Sequence, residues 1–351
     1  QLISKSKTSE LSKGIIPGHK KQTILEKLLL FVRGNFFIPD ARVSWVKPSV
    51  SFLSEYIKTH KIEAIITTGP PHSLHLIGLK LKQLHALKWI TDFRDPWTQI
   101  GYHKKLKLTA LSKRKHKQLE SSVLRDSDQI IVTSPQTKAL FSKRTATPIA
   151  VITNGYDFEI NNTCTLDSMF TLSHIGSLLE GRNPQVLWKV LSELVETSAD
   201  FSKVFRLNLI GHVSERVLES IKMHGLEAHT NCRGYVSHNE ALVYQNKTQL
   251  LLLIEEDSIE TRYIIPGKLF EYMASKRPII AVGPDISDIE DILVKSCSGA
   301  YFRYSDAELL RLNILNHFEA YKINNLQVDS KGLGHYSRKS LTLELSKILI
   351  N

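Results

Sequence analysis

The chain has 351 residues, of which 42% are hydrophobic, 23% charged and 8% aromatic. That length predicts about two domains, and that composition excludes global disorder and a collagen-like fibre. The net charge of +11 is uneven: residues 1–160 carry 26 Lys and Arg against 12 Asp and Glu, or +14, while residues 161–351 carry 20 against 23, or −3. Two modules with different partners are expected, the basic one facing a phosphorylated substrate, an anionic bilayer or nucleic acid.

Residues 1–21 are polar and without periodicity, and are expected to be a mobile tail or a severed loop. The sequence opens on Gln1, which suggests a fragment or a trimmed chain. An amphipathic helix is expected over 24–32, closed by Gly34, and a second over 49–61 with Phe52, Leu53, Tyr56 and Ile57 on one face. A repeated grammar follows. Apolar runs at 64–67, 88–91, 129–132 and 149–152 are separated by helical stretches, the longest over 104–125. Residues 158–170 read as a linker. The grammar then restarts with runs at 171–175, 206–210, 250–254 and 278–282. Short all-apolar strands alternating with helices mean parallel sheets covered on both faces. The expected division is a first domain over 22–157, the linker, a second domain over 171–335, and a terminal helix over 336–351 returning to the first.

Cys164, Cys232 and Cys297 are far apart, so neither a CxxC zinc site nor a disulfide framework is written, and a reducing cytoplasm is the simplest setting. No apolar run reaches the roughly 18 residues of a membrane span. The densest basic stretch, His103 to Lys117, carries Lys104, Lys105, Lys107, Lys113, Arg114, Lys115 and Lys117, with Leu106, Leu108, Leu111, Leu119 and Val123 interleaved through residue 125. It reads as a solvated helix face or as a helix on an anionic membrane. No nucleic-acid recognition module accompanies it, so no nucleic-acid partner is expected. Asp126-Ser127-Asp128 precedes its strand and is expected to be a helix-end turn rather than a metal motif. Asp285, Asp288, Glu290 and Asp291 read as an acidic helix start.

The chemistry-bearing strings follow strands, at the edge where open α/β sheets bind ligands. In the segment from Ile265 to Ala274, Gly267 opens a helix and permits close approach of a phosphate. Lys268 adds a cation there, and Glu271 can accept two hydrogen bonds from a ribose diol. Gly176 and Arg182 lie in a second strand–turn–helix start, where a guanidinium can hold a diphosphate. Gly234-Tyr235-Val236-Ser237 reads as a further turn. In the first half, Thr68-Gly69-Pro70-Pro71-His72-Ser73 and Asp92-Phe93-Arg94-Asp95-Pro96-Trp97 end two strands.

These strings resemble the GT-B glycosyltransferases of the retaining family 4 type. Glu271-Tyr272-Met273-Ala274 with Arg277-Pro278-Ile279-Ile280 resembles the donor-site signature, although Tyr263 stands where the paired-glutamate version has its first Glu. The segment from His174 to Pro184 resembles the diphosphate loop, with Ser177 in place of an Arg. Gly234-Tyr235-Val236 is similar to the Gly-x-Val turn that meets the nucleobase. The Gly-Pro-Pro-His-Ser and Asp-Phe-Arg-Asp-Pro-Trp strings resemble a bacterial branch. The resemblance covers about residues 30–350 and lacks the first strand and Gly-rich acceptor loop that open such proteins. It implies two tandem Rossmann-like domains with the active site in the cleft between them. It also implies retaining transfer of a sugar from a UDP- or GDP-type donor, with no metal and no cofactor. The acceptor would be a glycan or lipid-linked glycan of bacterial surface polysaccharide synthesis. The enzyme would be cytoplasmic and peripheral on the inner membrane face through 103–125. Gly176, Arg182, Tyr235, Gly267, Lys268 and Glu271 would hold the donor; His72, Asp92 and Asp95 would serve catalysis and Arg94 the acceptor. The alternatives are a nucleotide-sugar-binding protein without activity and a sugar-nucleotide epimerase of the same fold.

Overall fold

The computed structural model describes residues 24–101, 103, 106–157 and 164–350. In the first half, β1 (Ala64–Gly69), β2 (Lys88–Phe93), β3 (Gln129–Val132) and β4 (Ile149–Val151) pair in that order, all parallel. Among the described residues five helices accompany them: α1 (Ile24–Phe36), α2 (Val46–His60), α3 (Ser73–Leu84), α4 (Ala110–Asp126) and α5 (Pro135–Ser142). The inner strands are apolar because helices cover both faces; Trp89, Ile90, Ile130 and Val132 are fully buried.

The second half starts with β5 (Phe170–Ile175), and its helices are α6 (Gln185–Thr197), α7 (Ala199–Val204), α8 (Glu215–Met223), α9 (His238–Lys247), α10 (Lys268–Ala274), α11 (Asp288–Ser296) and α12 (Ala307–Lys322). Its other strands are β6 (Phe205–Ile210), β7 (Thr230–Arg233), β8 (Leu250–Ile254), β9 (Ile279–Gly283) and β10 (Gly299–Arg303). The six strands run in the order β10-β9-β8-β5-β6-β7, every pair parallel. The order reverses between β5 and β8, so their carboxyl ends open a crevice at the switch point. One apolar cluster with Trp188 and Phe201 and another with Leu253 and Phe270 fill this half.

Helix α13 (Arg338–Ile350) lies on the first sheet, with Leu341, Leu345 and Ile348 packed on Ile90, Ile131 and Ile152. The Lys88 ammonium donates to the Ile348 carbonyl at 2.8 Å. The crossing is pinned where Tyr156 N donates to Tyr336 O (3.1 Å) and Arg338 N donates to Tyr156 O (2.9 Å). A second junction forms at the start of α5. The Ser134 hydroxyl donates to the Tyr263 carbonyl (3.0 Å), and Gln136 N donates to the Asp288 carboxylate (3.0 Å).

Two sheets of parallel strands match the expected architecture, with local corrections. Helix α1 does not stop at Gly34, which is buried within it: a Cβ there would lie 2.7 Å from the Leu106 carbonyl, so glycine permits contact rather than ending the helix. The long basic helix begins only at Ala110, where the Thr109 hydroxyl accepts from Ser112 N. Lys104 and Lys105 lie outside the described residues, as do the polar segment 1–21 and part of the linker. The sequence reading did not anticipate β7, whose Thr-Asn-Cys-Arg run is largely exposed, or β10, which is half-buried.

Candidate functional site

Two walls face each other across the junction. In the second half, the turn after β5 is held by Gly176, whose φ of +124° favours glycine, and Gly176 N donates to the Ile210 carbonyl at 2.7 Å. Gly211 has the same φ, and a Cβ on it would lie 2.5 Å from the Gly176 carbonyl, so two glycine turns nest against each other. Beneath them Tyr272, from α10, receives Ile175 N at 2.9 Å and donates back to the Ile175 carbonyl at 3.2 Å. This fixes α10 to the strand end.

Lys268, the first residue of α10, reaches into that turn. Its Nζ lies 3.3 Å from His174 Nε2 and 3.4 Å from the Ile175 carbonyl, and a Cβ on Gly176 would sit 3.5 Å from Nζ. Burial first and the Arg182 charge second pull its pKa down to about 7. His174 is held well below its ordinary value by burial first and then by Lys268. Arg182 sits in a short helical turn, Glu180–Arg182, and makes no ion pair among the described residues. The site therefore gathers two cations without a carboxylate bound to either.

Lys268 and Glu271 do not pair. Glu271 accepts from Gln245 Nε2 at 3.1 Å and lies 3.9 Å from His238 Nε2, at the rim of the same wall. Around Gly267 a Cβ would meet nothing within 4 Å, so the approach to α10 is open. Tyr235 is 89% exposed on the loop after β7.

Glu255, at the end of β8, carries no sequence motif. It is 5% exposed and accepts from the Ser287 and Tyr301 hydroxyls, each at 2.9 Å. Burial raises its pKa to about 7 against these hydrogen bonds. Its position after an all-apolar strand was the available signal.

In the first half, Asp92 and Asp95 are half-buried, and burial raises both carboxyls above their usual range despite Arg94 beside them. Arg94 pairs with Asp92 at 3.5 Å and donates to the Asn154 side chain; Asn154 in turn donates to the Ile265 carbonyl at 3.3 Å. The guanidinium thus ties its own loop to the opposite wall. His72 is 2% exposed and stacks on Trp97 with ring centroids 4.9 Å apart; neither of its nitrogens finds a partner. Burial first, then the neighbouring histidines, holds it well below its ordinary pKa, so it is neutral.

The remaining acidic strings behave as expected. Asp128 pairs with Lys82 at 2.7 Å and accepts from Trp89 N, at the amino edge of β2. Asp285 and Glu290 pair with Arg303, and Asp288 opens α11. Among the described residues no group of His, Cys, Asp and Glu could hold a metal ion. No helix among them is long and apolar enough to cross a membrane.

The two-sheet architecture matches GT-B glycosyltransferases of known structure. Sucrose-phosphate synthase from Thermosynechococcus elongatus superposes with a TM-score of 0.63 at 14% identity, over 88% of this chain and 78% of that one. HepE from Anabaena, in complex with UDP, gives 0.64 at 13% identity over 86% and 82%. The UDP-forming trehalose-phosphate synthase from Burkholderia vietnamiensis gives 0.59 at 11% over 87% and 76%. No protein-family model and no curated protein matches the sequence. The fold is thus of the GT-B type.

Proposed function

We propose that the chain is a glycosyltransferase that takes a sugar from a nucleotide-diphosphate donor. The observation that carries this reading is Lys268 at the turn after β5, its Nζ 3.3 Å from His174 Nε2 and 3.4 Å from the Ile175 carbonyl, with the charge of Arg182 acting on it, at the switch point of the sheet. Two like charges brought together at low dielectric, each without a bound carboxylate, favour a polyanionic ligand. A diphosphate fits: Lys268 and Arg182 would hold it, and Glu271 at the rim would take the ribose diol, with Tyr235 near the base. HepE, of the same fold, is described in complex with UDP and with UDP-glucose, which supports a UDP-type donor.

The reaction would be front-face displacement with retention, a reading that rests on the family 4-like motifs. The bond from the anomeric carbon to the diphosphate oxygen would break as the acceptor hydroxyl oxygen bonds to the same face, its proton passing to the departing diphosphate oxygen. Arg182 and Lys268 stabilise the charge that develops on the departing diphosphate. The Asp92–Asp95 loop and His72 would line the acceptor side, with closure of the two walls excluding water. The acceptor would be a glycan or lipid-linked glycan in bacterial surface polysaccharide synthesis, made at the inner membrane face.

A thermal-shift panel with UDP, GDP, ADP, CMP and their sugar conjugates tests this. One nucleotide at 100 times its dissociation constant should add about 2.7 kcal/mol of stability. Transfer to an acceptor must follow. Binding without transfer leaves a nucleotide-sugar-binding protein, and isomerisation without acceptor an epimerase. No shift with any nucleotide overturns the reading.

A further inference from the structure

The basic stretch of the first half builds something more than a solvated helix face. Its described residues line a cavity of about 300 Å³ at the start of α4. The wall is formed by Thr98, His103, Lys107, Lys113, His116 and Lys117, with no acidic side chain among the lining residues. Lys113 and Lys117 stand four apart on one face of α4, a like-charge spacing that costs stability unless an anion intervenes. Lys107 reaches the same cavity from a backbone with a φ of +49°, a conformation disfavoured for a residue with a side chain. None of the three lysines makes an ion pair among the described residues.

The floor is polar and buried. His116 is 1% exposed, and the Trp97 indole N–H donates to its Nδ1 at 3.1 Å. The neutral ring therefore carries its proton on Nε2, which has the Gly34 carbonyl beside it but no hydrogen bond of good geometry. His103 packs edge-on against it, with ring centroids 4.5 Å apart. Through Trp97, which stacks on His72, this cavity is two ring contacts from the acceptor side of the cleft.

We infer that this cavity is an anion site for a phosphate or diphosphate group, held by Lys107, Lys113 and Lys117 over the buried His116. Three lysines lining one half-open cavity, with no acidic side chain in its wall, supply the positive charge such a group requires. Two sources share this chemistry: a phosphate carried by the acceptor itself, and the headgroup of an anionic phospholipid. Only the first source rests on the glycosyltransferase reading; the anion site does not.

The test titrates the full chain with inorganic pyrophosphate by calorimetry. The background is Arg182→Gln with Lys268→Met, so that the second-half cations contribute nothing whether or not they hold a donor. Binding should persist in this background and weaken at least about tenfold when Lys113→Gln and Lys117→Gln are added. Lys107→Gln, tested alone in the same background, should weaken it by a smaller factor. All three lysines are exposed, so the fold is retained. Absence of pyrophosphate binding in the background chain overturns the inference, as does equal binding with and without Lys113 and Lys117. A vesicle arm assigns the source. Phosphatidylglycerol vesicles bound by the background chain and released by pyrophosphate indicate the headgroup; pyrophosphate binding without vesicle affinity indicates an acceptor phosphate.

Discussion

The two halves of the chain repeat one architecture with different completeness. The second sheet has six strands, and its central β8 and β9 are buried along their whole length. The first has four among the described residues, with β1 at its edge half-open and Ile66 39% exposed. Exposed apolar side chains occur in both halves, among them Leu25, Leu28 and Phe36 of α1 and Phe52 of α2 in the first and Met223, Val294 and Leu309 in the second. The polar interiors differ too. The second half buries Glu255 after β8 and draws the Lys268 ammonium from the start of α10 into the turn after β5. The first buries four histidines, His72, His75, His103 and His116, together with Glu120, which pairs with Arg144 at 2.8 Å. One half thus gathers charge around the turn after β5, and the other packs imidazoles against Trp97 and Phe93.

Removing Trp97 should separate the halves most sharply. Trp97 is fully buried, stacks on His72 and orders His116. Trp97→Ala should cost about 3–5 kcal/mol, seen as an earlier transition in chemical denaturation of the first half, with Trp188 in the second reporting no matching change. Lys268→Met should weaken UDP binding by about 2 kcal/mol, measured by calorimetry. The same substitution should leave the ligand-free melting temperature at pH 6 equal or higher, since it removes a group whose protonation the fold opposes. A lower melting temperature with unchanged UDP affinity would make Lys268 structural.

The pH dependence follows from signs. The folded pKa of Lys268 lies below its unfolded value, so its contribution is complete above about pH 10.5 and is lost as pH falls through about 7. Diphosphate binding favours the protonated form. Calorimetry in buffers of different ionisation enthalpy near pH 7–8 should therefore show proton uptake. In the first half His75 and His103 are held down to about 3 and about 4, mainly by burial. Their contributions are complete above pH 6.5 and drain away as pH falls toward those values, so acid should open the first half; Trp97→Phe difference fluorescence isolates that report. Glu271→Ala should cost UDP binding about 1–3 kcal/mol if the carboxylate holds the ribose, and pyrophosphate binding nothing. The smallest effect belongs to Tyr235→Ala, within about 0.5 kcal/mol on stability because the ring is exposed; any change should fall on the preference among nucleobases.

What the sequence made legible follows the same contrast. Apolar runs ending in Gly, such as the one reaching Ile175 before Gly176, announce a parallel strand and its ligand turn together, because one pattern encodes both. Lys268 and Arg182 were readable as cations near such turns. Their mutual proximity was not, since 85 intervening residues separate them and only the contacts between the end of β5 and α10, through Tyr272 and Lys268 itself, bring them together. Glu255 escaped notice for another reason: it follows β8 outside any motif, and only its burial makes it chemically distinct. His72 and Arg94 were legible as residue types at strand ends, but stacking on Trp97 and pairing with Asn154 depend on partners from distant segments. The edge strands β7 and β10 lacked the all-apolar composition on which the other strands were recognised.

The return of α13 to the first sheet also bears on how the molecule would survive being cut. A protease acting once between the two sheets would break the chain but leave Leu341, Leu345 and Ile348 seated on Ile90, Ile131 and Ile152. Such a nicked protein should elute as one particle in size-exclusion chromatography and separate into two bands only under denaturing electrophoresis. By the same logic, the two pieces made separately should find each other, with the last helix acting as the clasp.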